Sequence, residues 1–208
     1  MTDLLLRLLE LLGQEATLWL LAAVSTASAA VAVERWWYLR ARRVDIDAFS
    51  ARLAQHIDSG DAEGARAVAA GMAAMEARVA ERLLANAGRP RTELEDLYRA
   101  AVERERMRYE RALSWLATIG SNAPFIGLFG TVLGIVRAFA ALSTTAAGAN
   151  RNTVLLGAIS EALVATAVGI AVAIPAVVAY NALTKRVETA VGGSEVLFRE
   201  LAARISAR

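Results

Sequence analysis

The sequence contains no cysteine, a single histidine and only three prolines in 208 residues. Without cysteine the chain has neither a disulfide nor a thiolate ligand for a metal, although this does not identify its compartment. The histidine, His56, lies in a polar stretch, and we interpret it as a solvated side chain. No nucleophile–base pair, metal-ligand cluster or phosphate loop occurs, so we expect no enzyme, no metal and no cofactor.

An excess of one charge is missing too, because 23 basic residues face 21 acidic ones and the net charge is only +2. Nothing in that balance indicates binding to nucleic acid. What the sequence does have is 56% hydrophobic residues beside 21% charged ones. A soluble domain rarely combines the two. Here they are segregated into long apolar runs and charged stretches, which is typical of a membrane protein.

Three apolar runs are long enough to cross a bilayer core of about 30 Å as helices. We therefore predict an all-α membrane protein with three transmembrane helices and long helices that extend into a cytoplasmic helical domain. The short connection between the second and third spans makes them an antiparallel hairpin. The predicted segments are an outer-side amphipathic segment (1–15), the first span (16–33), the cytoplasmic domain (34–111), the second span (112–142), an outer loop (143–153), the third span (154–183) and a cytoplasmic C-terminal helix (184–208).

Lysine and arginine near the span ends predict the orientation, since these residues accumulate on the cytoplasmic side. The basic residues that follow the first span, precede the second and follow the third are Arg35, Arg40, Arg42, Arg43, Arg104, Arg106, Arg108, Arg111, Lys185 and Arg186. The opposite side has only Arg7, Arg137 and Arg151. The N-terminus is therefore predicted outside and the large loop inside.

A charged helix is predicted at the end of the cytoplasmic domain. Thr92 and Glu95 have the spacing of a capping box and follow Pro90. No helix breaker occurs before Gly120, so we expect this helix to continue into the second span.

Small residues form one stripe on each of the last two spans when they are projected at about 100° per residue. Such stripes let helix backbones approach closely, either within one chain or between subunits. Pro124 and Pro175 interrupt the hydrogen bonding of these spans, as kinks or as hinges. The predicted packing residues are Gly127, Gly130, Gly134, Ala162, Ala165 and Gly169.

Glu161 is an acid in the third apolar run. A carboxylate at such a position is costly when charged, and it usually marks an ion path or is paired. The nearest cation along the neighbouring span is Arg137. The simpler alternatives are a structural Glu161–Arg137 pair or a side chain that reaches the outer interface.

Two runs carry a specific resemblance: APFIGLFGTVLGIVRAF from Ala123 and SEALVATAVGIAVAIPAVVAYN from Ser160. They resemble the MotA/TolQ/ExbB proton-channel family, and most closely its ExbB and TolQ branch. The resemblance implies a proton-channel stator subunit of a motor in the bacterial inner membrane, with a periplasmic N-terminus. It also implies a homo-oligomer, a pentamer in this family, around an ExbD- or TolR-like single-span partner with a membrane aspartate. The proton-motive force would then drive a TonB- or TolA-like protein, here in TonB-dependent outer-membrane transport.

Carried over residue by residue, the resemblance assigns the pore to Glu161, Thr131 and Thr166. Ser160 stands where relatives usually have alanine, and Arg137 where a neutral residue is expected, so both are candidate modulators. Thr166 lies about 140° from Glu161 in helical projection, so one subunit does not present both on a narrow line. A pore built from several subunits would expose both.

Three alternatives remain beside TonB-linked transport. A TolQ-like or gliding-type motor subunit fits the same residues. A non-conducting membrane scaffold explains the small-residue stripes but not Glu161. A small-solute transporter fits poorly, because the chain has three spans and no internal repeat.

Overall fold

The computed structural model describes residues 14–144 and 151–206. Within these residues the secondary structure is entirely helical, as predicted. The helices are α1 (Gln14–Arg40), α2 (Ile46–Asp58), α3 (Ala62–Ala70), α4 (Met75–Leu84), α5 (Arg91–Tyr109), α6 (Leu113–Thr144) and α7 (Arg151–Ser206). The predicted amphipathic helix of residues 1–15 falls almost wholly outside the described residues, as do residues 145–150 of the predicted outer loop.

Among the described residues, three helices are long and apolar enough to cross a membrane: Glu15–Arg40, Leu113–Ala140 and Leu155–Arg204. The predicted fold class is thereby confirmed. The chain divides into two compact units. We call Met1–Val33 with Ser114–Asn181 the span unit, and Glu34–Leu113 with Ala182–Arg208 the loop unit.

The span unit has a small apolar core to which α1, α6 and α7 all contribute. Its buried members are Leu21, Ala123, Val172 and Ala173, with the partly buried Val24, Ile119, Ile126 and Val168 packed around them. Two of the four central residues are alanines, so the helix backbones lie close together there. Most of the remaining apolar surface of these helices is exposed. In the most apolar 18-residue segment of each, the buried share is 17% in α1, 39% in α6 and 33% in α7.

The loop unit is built from α2 to α5 with the ends of α1 and α7, around Phe49, Leu53, Met75, Leu94 and Leu197, each at most 1% exposed. Asp45 and Asp61 cap α2 and α3 by accepting hydrogen bonds from backbone N–H groups, of Ala48 and Gly64 respectively. The His56 side chain is 36% exposed, as expected for a solvated side chain, and its Nδ1 lies 2.9 Å from the exposed Asp61 carboxylate.

The prediction for the end of the cytoplasmic domain was wrong. Helix α5 begins at Arg91 with Pro90 as its N-cap and no capping side chain, so Thr92 lies inside the helix and forms no capping box. The helix ends at Tyr109, and Ala112 has a φ of 64°, in the left-handed region. A new helix starts at Leu113. A left-handed alanine costs of order 1 kcal/mol, so the break goes against the local conformational preference.

Candidate functional site

Helices α6 and α7 touch through their backbones at two glycines. A Cβ atom placed on Gly127 would lie 2.6 Å from the Ala165 carbonyl oxygen and 3.2 Å from the Gly169 Cα. A Cβ placed on Gly169 would lie 2.7 Å from the Ala123 carbonyl oxygen. Neither position has room for a side chain, so glycine is required at both for the helices to pack this closely.

The two helices run antiparallel, as the sequence predicted. Gly120 lies against Val177, Gly127 against Gly169, and Gly130 against Ala165, so the contacts descend one helix as they ascend the other. Ala162 and Ala165 are fully buried, and Gly134 is buried. The predicted packing residues are therefore either in contact between α6 and α7 of this one chain or buried in it.

Thr131 and Thr166 meet across this contact. Their hydroxyl groups are hydrogen-bonded to each other. The Thr131 hydroxyl also lies 3.2 Å from the Gly127 carbonyl oxygen and 3.4 Å from the Ala162 carbonyl oxygen. Thr131 is 9% exposed, and Thr166 is half-buried. A hydroxyl has one hydrogen and two acceptor lone pairs, so Thr131 can shift its donation between these oxygens.

Glu161 lies on α7 directly before Ala162, but its side chain is exposed, and so are Ser160 and Arg137. The structure thus brings the two threonines together and leaves the carboxylate outside the contact between α6 and α7. This agrees with the separation of about 140° between Thr166 and Glu161 in projection. The exposed apolar side chains on the same helices are Phe125, Leu128, Phe129, Val132, Leu163 and Ile170.

A third helix reaches the same region through Thr17, a residue that the sequence did not single out. Thr17 is 6% exposed, and its Oγ1 lies 2.8 Å from the position of a Cβ on Gly130. The only signal for it was an isolated hydroxyl at the start of the first apolar run. The threonine pair is thus held where α1, α6 and α7 approach one another.

The chemistry available here is hydrogen bonding and proton binding. Hydroxyls donate and accept, so they can orient water or pass a hydrogen bond along, whereas a carboxylate can hold and release a proton. Among the residues that the structure describes, no group of three or more acidic, histidine or cysteine residues is placed to hold a metal ion.

Curated proteins resemble the chain over a little under half of its length. The Tol-Pal system protein TolQ of Pseudomonas aeruginosa is 49% identical over 94 residues, which is 45% of this chain and 40% of that protein. TolQ of Haemophilus influenzae is 52% identical over 89 residues, or 42% and 37%. The biopolymer transport protein ExbB of Neisseria gonorrhoeae is 45% identical over 94 residues, or 45% and 39%. The matched part thus spans about two fifths of these relatives.

A family model covers far more of the chain. It matches residues 49–195, which include α6, most of α7, the threonine pair and Glu161, and it describes the MotA/TolQ/ExbB proton channel family. The match extends over more than half of the chain and agrees with the three apolar helices. The chain belongs to the MotA/TolQ/ExbB proton channel family.

Proposed function

We propose that this chain is the proton-path subunit of a motor in the bacterial inner membrane. It would work with a single-span, ExbD- or TolR-like partner and convert the proton-motive force into movement of a TonB- or TolA-like protein. The observation that supports this most strongly is the Thr131–Thr166 hydroxyl pair, between two apolar helices, with Glu161 on one of them.

Buried hydroxyls alone do not require a pore, since threonine often bonds to its own helix. Thr131 differs because it also reaches across to α7, to the Thr166 hydroxyl and the Ala162 carbonyl. Together these groups form a short polar line beside the glycine and alanine contacts of two apolar helices. In an apolar span such a line is favoured where water or a proton must be accommodated.

Glu161 supports an assembled pore instead of one within a single chain. Its exposed carboxylate stands on a helix whose exposed side chains include Leu163 and Ile170. A charged group facing lipid is costly, so we infer that this face lines a polar space between copies of the chain, a pentamer by family resemblance. The partner's aspartate would be the main proton acceptor. Two exposed residues would modulate the pore mouth. Ser160 directly precedes Glu161 on α7, and Arg137 lies toward the C-terminal end of α6.

The orientation belongs to the same proposal. The N-terminus would be periplasmic, and the loop unit cytoplasmic, because arginine and lysine accumulate on the loop side of all three apolar helices.

Proton flux into vesicles tests the pore. The chain is reconstituted with its partner in liposomes that contain a pH dye, and a potassium gradient drives uptake. We expect partner-dependent flux that Glu161→Gln lowers by at least about tenfold. Glu188→Gln is the matched control, an exposed acid farther along the same helix. Full flux in Glu161→Gln would remove Glu161 from the path, and no flux in the wild type with partner would favour a non-conducting scaffold.

The branch of the family is a separate proposal. We propose an ExbB-like role in TonB-dependent transport, and the TolQ-like role is the second candidate because the Haemophilus influenzae TolQ is 52% identical over its matched segment. Complementation separates them. Cells without their own ExbB should regain growth on a siderophore as iron source when this chain and its partner are expressed. Restored detergent resistance in cells without TolQ, with no rescue of iron uptake, would contradict the ExbB-like role.

A further inference from the structure

The loop unit contains a cavity of about 250 Å³ that the proton path does not use. Its walls come from the end of α1 and the residues after it, and from α4, α5 and α7. The polar side chains that line it are Arg42, Arg43, Glu76, Tyr109, Arg186 and Thr189. An acid and three arginines therefore share one small space.

Glu76 is the unusual member of this lining. It is 5% exposed, and its Oε2 atom has no hydrogen-bond partner among the described residues. Burial raises the pKa of Glu76 to about 7. Buried carboxylate oxygens normally accept a hydrogen bond, so this atom lacks a donor that a bound molecule could provide.

The opposite charge in the cavity is also unsatisfied. Arg186 has its Nη1 atom buried without a hydrogen-bond partner in the part of the chain that the structure describes. Its guanidinium lies 5.6 Å from the centre of the Trp36 ring. Arg42 is held by Tyr38, since its guanidinium packs 3.5 Å from that ring centre and donates to the Tyr38 carbonyl at 3.1 Å. The ion pairs of the described residues include none between Glu76 and these arginines.

Tyr109 adds a further hydrogen-bonding group. Its hydroxyl oxygen accepts a hydrogen bond from the Met75 N–H at 2.8 Å, so its own hydrogen can be donated to another group. It lies on α5, across the cavity lining from the arginines that follow α1. Among the described residues, an occupant would therefore meet donors from three parts of the chain and one carboxylate, that of Glu76.

We propose that this cavity binds the zwitterionic phosphoethanolamine group, with its phosphate on the arginines and its ammonium on Glu76. A simple anion would meet the Glu76 carboxylate, and a simple cation would meet three guanidiniums. A group with both charges satisfies both sides at once. The cavity is below the range of about 300–1,000 Å³ that drug-sized ligands occupy, which suits a headgroup.

The same chemistry has two sources, free phosphoethanolamine and the headgroup of phosphatidylethanolamine, and we infer the lipid. Arg42 and Arg43 follow closely after the first apolar run, and Arg186 follows the third. Basic residues that follow an apolar span are attracted to the headgroups at the membrane surface.

Ionisation of Glu76 adds a pH dependence. The charged or titratable groups around the cavity are Arg42 and Arg43 beyond α1, Glu76 itself, Tyr109 on α5 and Arg186 on α7. Burial raises the pKa of the Glu76 carboxyl to about 7, so its charge changes within the range tested. Ammonium binding needs the carboxylate, so affinity should rise as the pH is raised from 6 to 8.

Native mass spectrometry of the full-length protein in detergent tests the proposal. The probes are short-chain phosphatidylethanolamine, phosphatidylcholine of equal chain length and free phosphoethanolamine. Phosphatidylcholine has the same phosphate, but its quaternary ammonium cannot donate a hydrogen bond. We expect about tenfold tighter binding of phosphatidylethanolamine than of phosphatidylcholine, as for one charge-assisted hydrogen bond. Binding of free phosphoethanolamine at equal affinity would support the chemistry and assign it to a soluble source.

Two substitutions give different signatures. Glu76→Gln should weaken phosphatidylethanolamine most and so abolish the preference, with a smaller loss for phosphatidylcholine, whose ammonium has a charge but no N–H donor. Arg186→Gln should weaken both lipids alike, because they share the phosphate. Glu81→Gln, an exposed acid on the same helix, is the matched control. Equal binding of the two lipids by the wild type, or an unchanged preference in Glu76→Gln, would overturn the proposal. An equal loss of both lipids in Glu76→Gln would also overturn it, because Glu76 would then not distinguish the two ammonium groups.

Discussion

Replacement of Gly127 by alanine should loosen the contact between α6 and α7. The new Cβ would stand 2.6 Å from the Ala165 carbonyl oxygen and 3.0 Å from the Thr166 Cα. Both atoms belong to the backbone, so no side-chain rotamer can relieve the overlap, and the helices must separate by roughly half an ångström. Overpacking of this kind costs about 1–3 kcal/mol. Alanine's higher helix propensity returns about 0.5–1 kcal/mol.

The net expectation is a loss of about 1–2 kcal/mol in the free energy of unfolding. Denaturation by SDS in mixed micelles, followed by the helical circular dichroism signal, measures it. Gly157→Ala is the matched control on α7, because a Cβ there would have no described atom within 4 Å. That variant should be unchanged or slightly more stable. If Gly127→Ala is as stable as Gly157→Ala, the close backbone contact does not exist in the protein.

Separation of the helices should also disturb the hydroxyl pair, since Thr166 directly follows Ala165 along α7. We therefore expect Gly127→Ala to lower partner-dependent proton flux together with stability. Gly127→Ala combined with Gly169→Ala should cost less than the sum of the single changes, because one separation of the helices makes room for both methyl groups.

Three further predictions concern single polar groups. Thr131→Val should destabilise by about 1 kcal/mol and lower proton flux, because Thr166 loses its hydroxyl partner; Thr118→Val, whose exposed hydroxyl bonds within its own helix, is the control in the same unfolding and flux assays. Burial holds the pKa of Glu76 at about 7, above the ordinary value of 4.5. In lipid-free detergent the free energy of unfolding should therefore fall by up to about 3 kcal/mol as the pH is raised from 5 to 8. Glu76→Gln should remove most of this pH dependence. Tyr109→Phe leaves the Met75 N–H without its acceptor and should cost about 1–3 kcal/mol in thermal unfolding, whereas Tyr98→Phe, stacked on Phe198, should cost less.

Each of these predictions has a clear contrary result. An unchanged flux in Thr131→Val would mean that protons do not use the hydroxyl pair. A pH profile of Glu76→Gln that matches the wild type would mean that another group controls it. Equal stability of Tyr109→Phe and the wild type would show that the first N–H of α4 finds a different acceptor.

The membrane part of the fold could be predicted because its signals are local. Long apolar runs set the three helices, and a short connection set the antiparallel hairpin. The glycine stripes also predicted close packing, and Gly127 and Gly169 do touch. In each case a regular period along one helix carries the information.

The errors arose where contacts distant in sequence decide. The break at Ala112 has neither glycine nor proline to mark it, so the local pattern indicated a continuous helix. Helical projection placed Thr166 away from Glu161, but it could not show that Thr166 faces Thr131, because the projection refers to one helix axis only. Glu76 sits in an ordinary charged segment, and its burial depends on elements that are far away along the chain.

The close approach of Gly127 and Gly169 has a mechanical consequence. In most helix contacts side chains separate the two backbones, and they can change rotamer when one helix is displaced. Here backbone faces backbone, and there is nothing between them to compress or to repack. A force on either helix at this level is therefore transmitted to the other with little deformation. In a motor the two helices would turn or tilt together as a rigid pair, and any bending would occur in the parts of the helices beyond the glycines.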